Sequence, residues 1–167
     1  ISEKNQSIWI AQREGRAKDS DDRTQGSILK MLNMSGDKDF LSNLMELNIF
    51  PVAISYEFDP CDFLKAKEFQ QKRDDPEFVK CQRDDLLSME TGILNNKGRV
   101  HFTLTQPIND QLARLDPNME KNELINAVAT IIDKEIYKHY RFYPCNYVAY
   151  DMLTGTHRFS EHYGLKD

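Results

Sequence analysis

Short uninterrupted apolar runs alternate along this chain with longer stretches in which apolar residues return every third or fourth position. The first kind predicts buried strands and the second amphipathic helices. Ser7 to Ala11, SIWIA, is an apolar run bounded by polar residues and predicts a buried strand. Ile49 to Tyr56, IFPVAISY, predicts another, of the kind covered on both faces in a parallel sheet. Pro51 has no N–H for a ladder, so it belongs at the start of that strand or at a bend. Arg99 to Leu104, RVHFTL, sets Val100, Phe102 and Leu104 against Arg99, His101 and Thr103. That period of two predicts a strand with one solvated face, which carries His101.

Helices fill the intervals. Thr24 is placed to cap a helix running through Met34, with Ile28, Leu29, Met31 and Leu32 as its apolar face. After Ser35-Gly36-Asp37, a second helix from Asp37 to Asn48 buries Phe40, Leu41, Leu44 and Leu47. A charged helix from Phe63 to Arg73 stops at Asp74-Asp75-Pro76. Glu77 to Leu94 follows, with Phe78, Val79, Leu86, Leu87 and Met89 expected inside. So many charges between strands point to an exposed excursion. Asn95-Asn96-Lys97-Gly98 is a turn signal. Beyond Gln106-Pro107-Ile108, a short helix opens at Asn109 or Asp110 and ends at Leu115. Glu120 to Tyr140 then carries Leu124, Val128, Ile131, Ile132 and Ile136 as one stripe, so it should pack across the sheet. The tail from Arg141 to Asp167 holds Phe142, Tyr143, Tyr147 and Tyr150, either wrapped over the domain or forming a membrane-facing belt. The expected fold class is α/β, a central mostly parallel or mixed sheet flanked by helices.

Composition narrows this picture. A chain of 167 residues, 40% hydrophobic, suffices for a single domain with a sizeable core, spanning 1–167. The net charge of −5, with both signs mixed along the chain, argues against a general nucleic-acid binder. Cys61, Cys81 and Cys145 lie far apart, so neither a disulfide framework nor a cysteine zinc site is suggested, and a reduced, cytosolic environment is the simplest reading. No apolar run approaches the roughly 20 residues that span a bilayer. The chain opens on Ile1 rather than Met, directly before a strand of the interior type, and is expected to be a piece of a longer protein.

The candidate chemistry gathers after the first strand. Gln12, Arg13, Glu14, Gly15, Arg16, Lys18 and Asp19 follow it at once. Ligands of open α/β sheets bind beyond the carboxyl ends of the strands, and the planar fork of arginine holds two oxygens of a phosphate or carboxylate. A polar-substrate site and a solvated loop of mutually paired charges both fit this stretch. Glu57, Asp59 and Asp62 cluster about Pro60. They fit a divalent metal, a shared proton or the acidic start of a helix.

The order of these features resembles the C-terminal half of the glycerolipid acyltransferase family, which includes glycerol-3-phosphate and lysophosphatidate acyltransferases. Ile8 to Ala11 followed by Glu14, Gly15 and Arg16 is similar to the family's strand running into Glu-Gly-x-Arg. Ile49 to Ile54 about Pro51 resembles its proline-bearing strand, and Lys97-Gly98-Arg99-Val100 closing on Gln106-Pro107-Ile108 resembles its later strand ending in Pro-Ile. The likeness covers 7–108, leaving 109–167 as a helical and aromatic extension. Here Arg16 follows Gly15 directly, and Gln12-Arg13 stands where the family has Phe-Pro, so Arg13 and Lys18 join Arg16 as candidates.

The resemblance implies transfer of an acyl group to a glycerol-phosphate-type hydroxyl in phospholipid biosynthesis. The donor would be acyl-coenzyme A or an acyl carrier protein, with no further cofactor and no metal. The family's His-x-x-x-x-Asp pair, its general base, would lie upstream. The same spacing at His162 and Asp167 falls at the wrong end of the chain. This portion would supply the acceptor-binding half and be inactive alone. Arg13, Arg16 and Lys18 would grip the phosphate, Glu14 would hold a hydroxyl or an arginine, Gly15 would admit the backbone, and Pro51 would shape the adjoining strand end. Peripheral membrane contact is expected from the resemblance. A non-catalytic phosphate- or partner-binding α/β module is the alternative, and metal-dependent hydrolysis by Glu57, Asp59 and Asp62 a third.

Overall fold

The structure, a computed structural model, describes residues 6–14, 21, 23–34 and 36–164 and mixes helices with a small sheet. In chain order its elements are α1 (Gly26–Asn33), α2 (Phe40–Glu46), β1 (Val52–Tyr56), α3 (Asp62–Asp74), α4 (Gln82–Leu94), β2 (Val100–Leu104), α5 (Asn109–Leu112), α6 (Lys121–Lys138) and α7 (Pro144–Thr154), followed by a 3-10 turn at Ser160–His162. They divide into two compact units, 1–53 with 102–140 and 54–101 with 141–167. The division falls inside both strands.

The first unit holds the apolar core. Along α6 the buried positions Leu124, Ile125, Val128, Ala129, Ile132 and Ile136 recur at helical spacing. Their partners are Leu29 of α1, Leu41 and Leu44 of α2, Ala53, Ile108 and Leu112. Each aliphatic side chain fully withdrawn from water contributes about 1.5–3 kcal/mol, which is why the stripe predicted on α6 organises this unit. The Glu120 carboxylate accepts from the N–H groups of Asn122 (2.8 Å) and Glu123 (3.2 Å) and so starts the helix. Asp39 does the same for α2, accepting from the N–H of Ser42. Between α1 and α2 the buried Asn43 donates to Asn33 Oδ1 (2.9 Å) and the Lys38 carbonyl (3.0 Å) and accepts from the Lys38 N–H (3.0 Å).

The second unit has a different interior. Its buried residues are Tyr143 and the polar Ser55, Thr91 and Asp151. Asp151 accepts from Thr156 Oγ1 (2.8 Å), the N–H groups of Arg158 (3.0 Å) and Phe159 (2.9 Å), and the hydroxyl of Tyr163 (3.0 Å). One carboxylate thus folds the chain after α7 back on that helix. Nearby in sequence, Tyr147 stacks on the His162 ring at 4.5 Å between centroids. Helix α3 buries no residue and α4 buries only Thr91.

The two strands are antiparallel: the N–H of Thr105 donates to the Pro51 carbonyl (3.1 Å) and that of Glu57 to the Arg99 carbonyl (2.9 Å). Among the described residues this is the whole sheet, so an α/β content stands while the ladder seen is not parallel. Ser7 to Ala11 forms no strand. No neighbouring backbone offers it a ladder, and Ile8, Trp9 and Ile10 are 56%, 69% and 43% exposed. The faces of β2 are also reversed: Val100, Phe102 and Leu104 are exposed, whereas His101 and Thr103 are half-buried. Val79, Leu86, Leu87 and Met89, expected inside, are exposed too. Thr24 does not cap α1: the helix begins one residue later, with Gln25 at the cap position and its side chain making no capping bond, and the Thr24 hydroxyl bonds Asp133 instead. The aromatic tail contains a regular helix, α7, with Pro144 in its first turn and Gly155 at its end.

Candidate functional site

The charged loop after Ala11 is tied to the start of α1 by a single residue. The carbonyl of Gln12 accepts from the N–H of Gln25 (2.9 Å), and the side-chain oxygen of Gln25 accepts from the N–H of Glu14 (3.1 Å). Gln25 thereby holds the backbone on both sides of Arg13. Arg13 Nε donates to the Glu14 carbonyl (3.1 Å), which orients the guanidinium of a half-buried side chain. Glu14 itself is exposed.

The far side of the loop is anchored to α6. Asp133 Oδ1 accepts from both the N–H (2.8 Å) and the hydroxyl (2.6 Å) of Thr24. Arg23 grips Asp21 through Nε (3.1 Å) and Nη2 (3.2 Å), and the Tyr137 hydroxyl reaches Asp21 Oδ1 at 3.4 Å. The hydrogen bond from Arg23 holds the Asp21 carboxyl below its ordinary range, and Asp21 in turn raises Arg23. Burial, followed by the negative charges of Asp133 and Asp21, pushes the Tyr137 phenol up, so it stays a neutral donor.

Of the residues expected at the site, Arg13 and Glu14 are thus adjacent and held. Gly15, Arg16 and Lys18 lie outside the described residues. Pro51 is buried one residue before β1, where its missing N–H costs the ladder nothing and its carbonyl still accepts from Thr105. The comparison with known proteins is short. The chain matches no protein-family model, no curated protein and no solved structure.

The other candidates take structural parts. Glu57 accepts from Arg99 Nη2 (2.8 Å) through one oxygen, and from Arg99 Nε (3.1 Å) and the Arg99 N–H (2.8 Å) through the other. Asp59 accepts from the Cys61 N–H (2.9 Å) and pairs with Lys65 (2.5 Å), while Asp62 opens α3. Among the described residues no group of three or more metal-ligating side chains comes together. His162 lies against Tyr147, and Asp167 is outside the described residues.

Gln25, Thr24 and Asp133 were not expected here. Thr24 and Asp133 are 109 positions apart, so no local pattern joins them. Gln25 stands where a helix cap belongs, a signal that points to helix initiation rather than to a loop clamp. The described part of the arrangement is the backbone of Gln12 and Glu14 held to Gln25, with the Arg13 guanidinium oriented by the Glu14 carbonyl.

Proposed function

We propose that this chain carries the phosphate- and acceptor-binding part of a glycerolipid acyltransferase, acting on a glycerol-phosphate-type hydroxyl with an acyl thioester as donor. The observation that supports the reading is the Gln25 clamp: Gln12 and Glu14, on either side of Arg13, are both bonded to Gln25, and the preceding Thr24 is bonded to Asp133 of α6. A loop of merely solvated charges has no need of such fixation. In this reading Arg13, Arg16 and Lys18 hold the phosphate by charge-assisted bonds, Glu14 positions a hydroxyl or an arginine, and Pro51 shapes the neighbouring strand start. The general base and its aspartate come from outside this chain, and the present part alone transfers nothing.

The finer fold belongs to the same proposal. A central mostly parallel or mixed sheet would take Ile8 to Ile10 as one of its strands. The exposure of that run supports it, since contiguous exposed apolar side chains mark surfaces that another element covers. Contact with a membrane would be peripheral; no helix of the described residues is long and apolar enough to cross one.

The test is a steady-state assay of the full-length gene product. Arg16→Ala should raise the KM for the phosphorylated acceptor about tenfold or more, the loss of one charge-assisted contact of roughly 1.5–3 kcal/mol. An unchanged KM in Arg13→Ala, Arg16→Ala and Lys18→Ala alike refutes the reading. Saturable binding of inorganic phosphate by a full-length protein without transferase activity would instead favour a binding module.

A further inference from the structure

The far end of α1 from the Gln25 clamp opens onto a pocket. Its volume is about 360 Å³, and its lining is Lys30, Asn33, Met34, Phe40, Lys121 and Asn122. That size lies at the small end of ligand sites. Three elements of the first unit form it: the last turn of α1, the first residue of α2 and the first turn of α6. Part of the lining is apolar. Phe40 packs partly against the core, and the Met34 thioether chain stands out into solvent. Methionine adapts its shape to an irregular apolar ligand at little cost.

Two lysines also line the pocket. Neither Lys30 nor Lys121 has an ion-pair partner among the described residues, and no carboxylate lines the pocket. Of the acids next to lining residues, Asp39 accepts from the Ser42 N–H and Glu120 from the N–H groups of Asn122 and Glu123, while Glu123 and Asp37 lie close along the chain but do not line the pocket. Asn33 accepts through Oδ1 from Asn43 (2.9 Å), which leaves its amide nitrogen as a further donor. The lining therefore combines donors and positive charge with an aliphatic and aromatic surface. A simple inorganic anion would leave the Met34 and Phe40 side unused, and an uncharged apolar molecule would leave the lysines unused.

We propose that this pocket binds an aliphatic carboxylate, its head group between the Lys30 and Lys121 ammoniums and its chain along Met34 and Phe40. The proposal does not rest on the acyltransferase reading, because none of these residues belongs to the Arg13 loop. Titration calorimetry with octanoate, acetate and inorganic phosphate tests it on the wild-type chain. Octanoate should bind saturably, with acetate and phosphate at least tenfold weaker. The double variant Lys30→Gln/Lys121→Gln should weaken octanoate at least tenfold, and Met34→Ser severalfold. All three changes are at exposed positions, so the fold should survive, as an unchanged circular dichroism spectrum would verify. Octanoate binding that is absent, that is matched by acetate or phosphate, or that persists undiminished in the double variant would overturn the proposal.

Discussion

Thr24 gives both its backbone N–H and its hydroxyl to one oxygen of Asp133, at 2.8 and 2.6 Å. The pair joins the residue just ahead of α1 to the polar face of α6, whose other face is core. Removing the acceptor leaves two half-buried donors without a partner. Asp133→Ala should therefore destabilise the chain by about 1–3 kcal/mol in urea titration. Thr24→Val should cost less, because it keeps the N–H bond. The double variant should fall short of the sum by about 1 kcal/mol, the signature of a direct contact.

The core makes a second comparison. Leu44 is fully buried in the core cluster of the first unit, whereas Leu153 on α7 is 87% exposed. Leu44→Ala should cost about 2–5 kcal/mol, from lost transfer free energy and an unfilled cavity. Leu153→Ala should stay within about 0.5 kcal/mol. Equal losses at the two sites in chemical denaturation would contradict this division between inside and outside.

Glycine substitution separates backbone strain from crowding. Gly98 and Gly155 both have positive φ, +61° and +64°. A Cβ at Gly155 meets nothing, so Gly155→Ala should cost only the left-handed penalty of about 1–2 kcal/mol. A Cβ at Gly98 would stand 2.6 Å from Glu57 Oε2 and 2.8 Å from Phe58 Cδ2. Gly98→Ala should pay the same penalty and also dislodge the Glu57–Arg99 pair. Thermal melts should rank Gly98→Ala well below Gly155→Ala, and an inverted order would show that the turn does not depend on that contact.

These contrasts explain what could be read in advance. The α6 stripe was legible because each buried residue lies one turn from the next, so local spacing alone determines the face. The position of Pro51 was legible because its missing N–H restricts it wherever the strand lies. Ser7 to Ala11 was not, since a strand exists only through its neighbour, and hydrophobicity does not say whether one is there. The same holds for β2, whose apolar residues alternate as predicted but face solvent. Helix α7 carries an initiating proline, Pro144, and a terminating glycine, Gly155, but the residue it buries is the polar Asp151, so no apolar stripe marks its inner face. The Arg13 loop was legible as charge, whereas its fixation by Gln25 and Asp133 depends on partners brought together only by folding.

Acid should loosen the end of the chain through Asp151. Burial opposes ionisation of this carboxyl, which is 3% exposed, but the bonds from Phe159, Thr156, Tyr163 and Arg158 outweigh it and hold its pKa below the ordinary 3.8. A lowered folded-state pKa stabilises the fold above the unfolded value and ceases to do so as pH falls through the folded one. Asp151→Asn should thus lower protection of the 156–159 amides against hydrogen exchange at neutral pH. The gap from wild type should shrink below about pH 3.8. A gap that stays constant through that range would remove the charge from the explanation.

Gln25 tests whether the loop's closure serves binding. Its side-chain oxygen touches only the Glu14 N–H in the described geometry, and its own N–H bond to Gln12 is independent of the side chain. Gln25→Ala therefore frees one end of the Arg13–Glu14 segment without disturbing α1, and should lower stability by no more than about 1 kcal/mol. If the proposed function is right, the KM for the phosphorylated acceptor in the full-length enzyme should rise severalfold with kcat little changed, because a mobile loop must be ordered each time the phosphate binds. Gln25→Glu keeps an acceptor oxygen at the same reach and should restore the low KM. A purely structural part for Gln25 would leave the KM of the alanine variant where it was, with nothing for the glutamate to rescue.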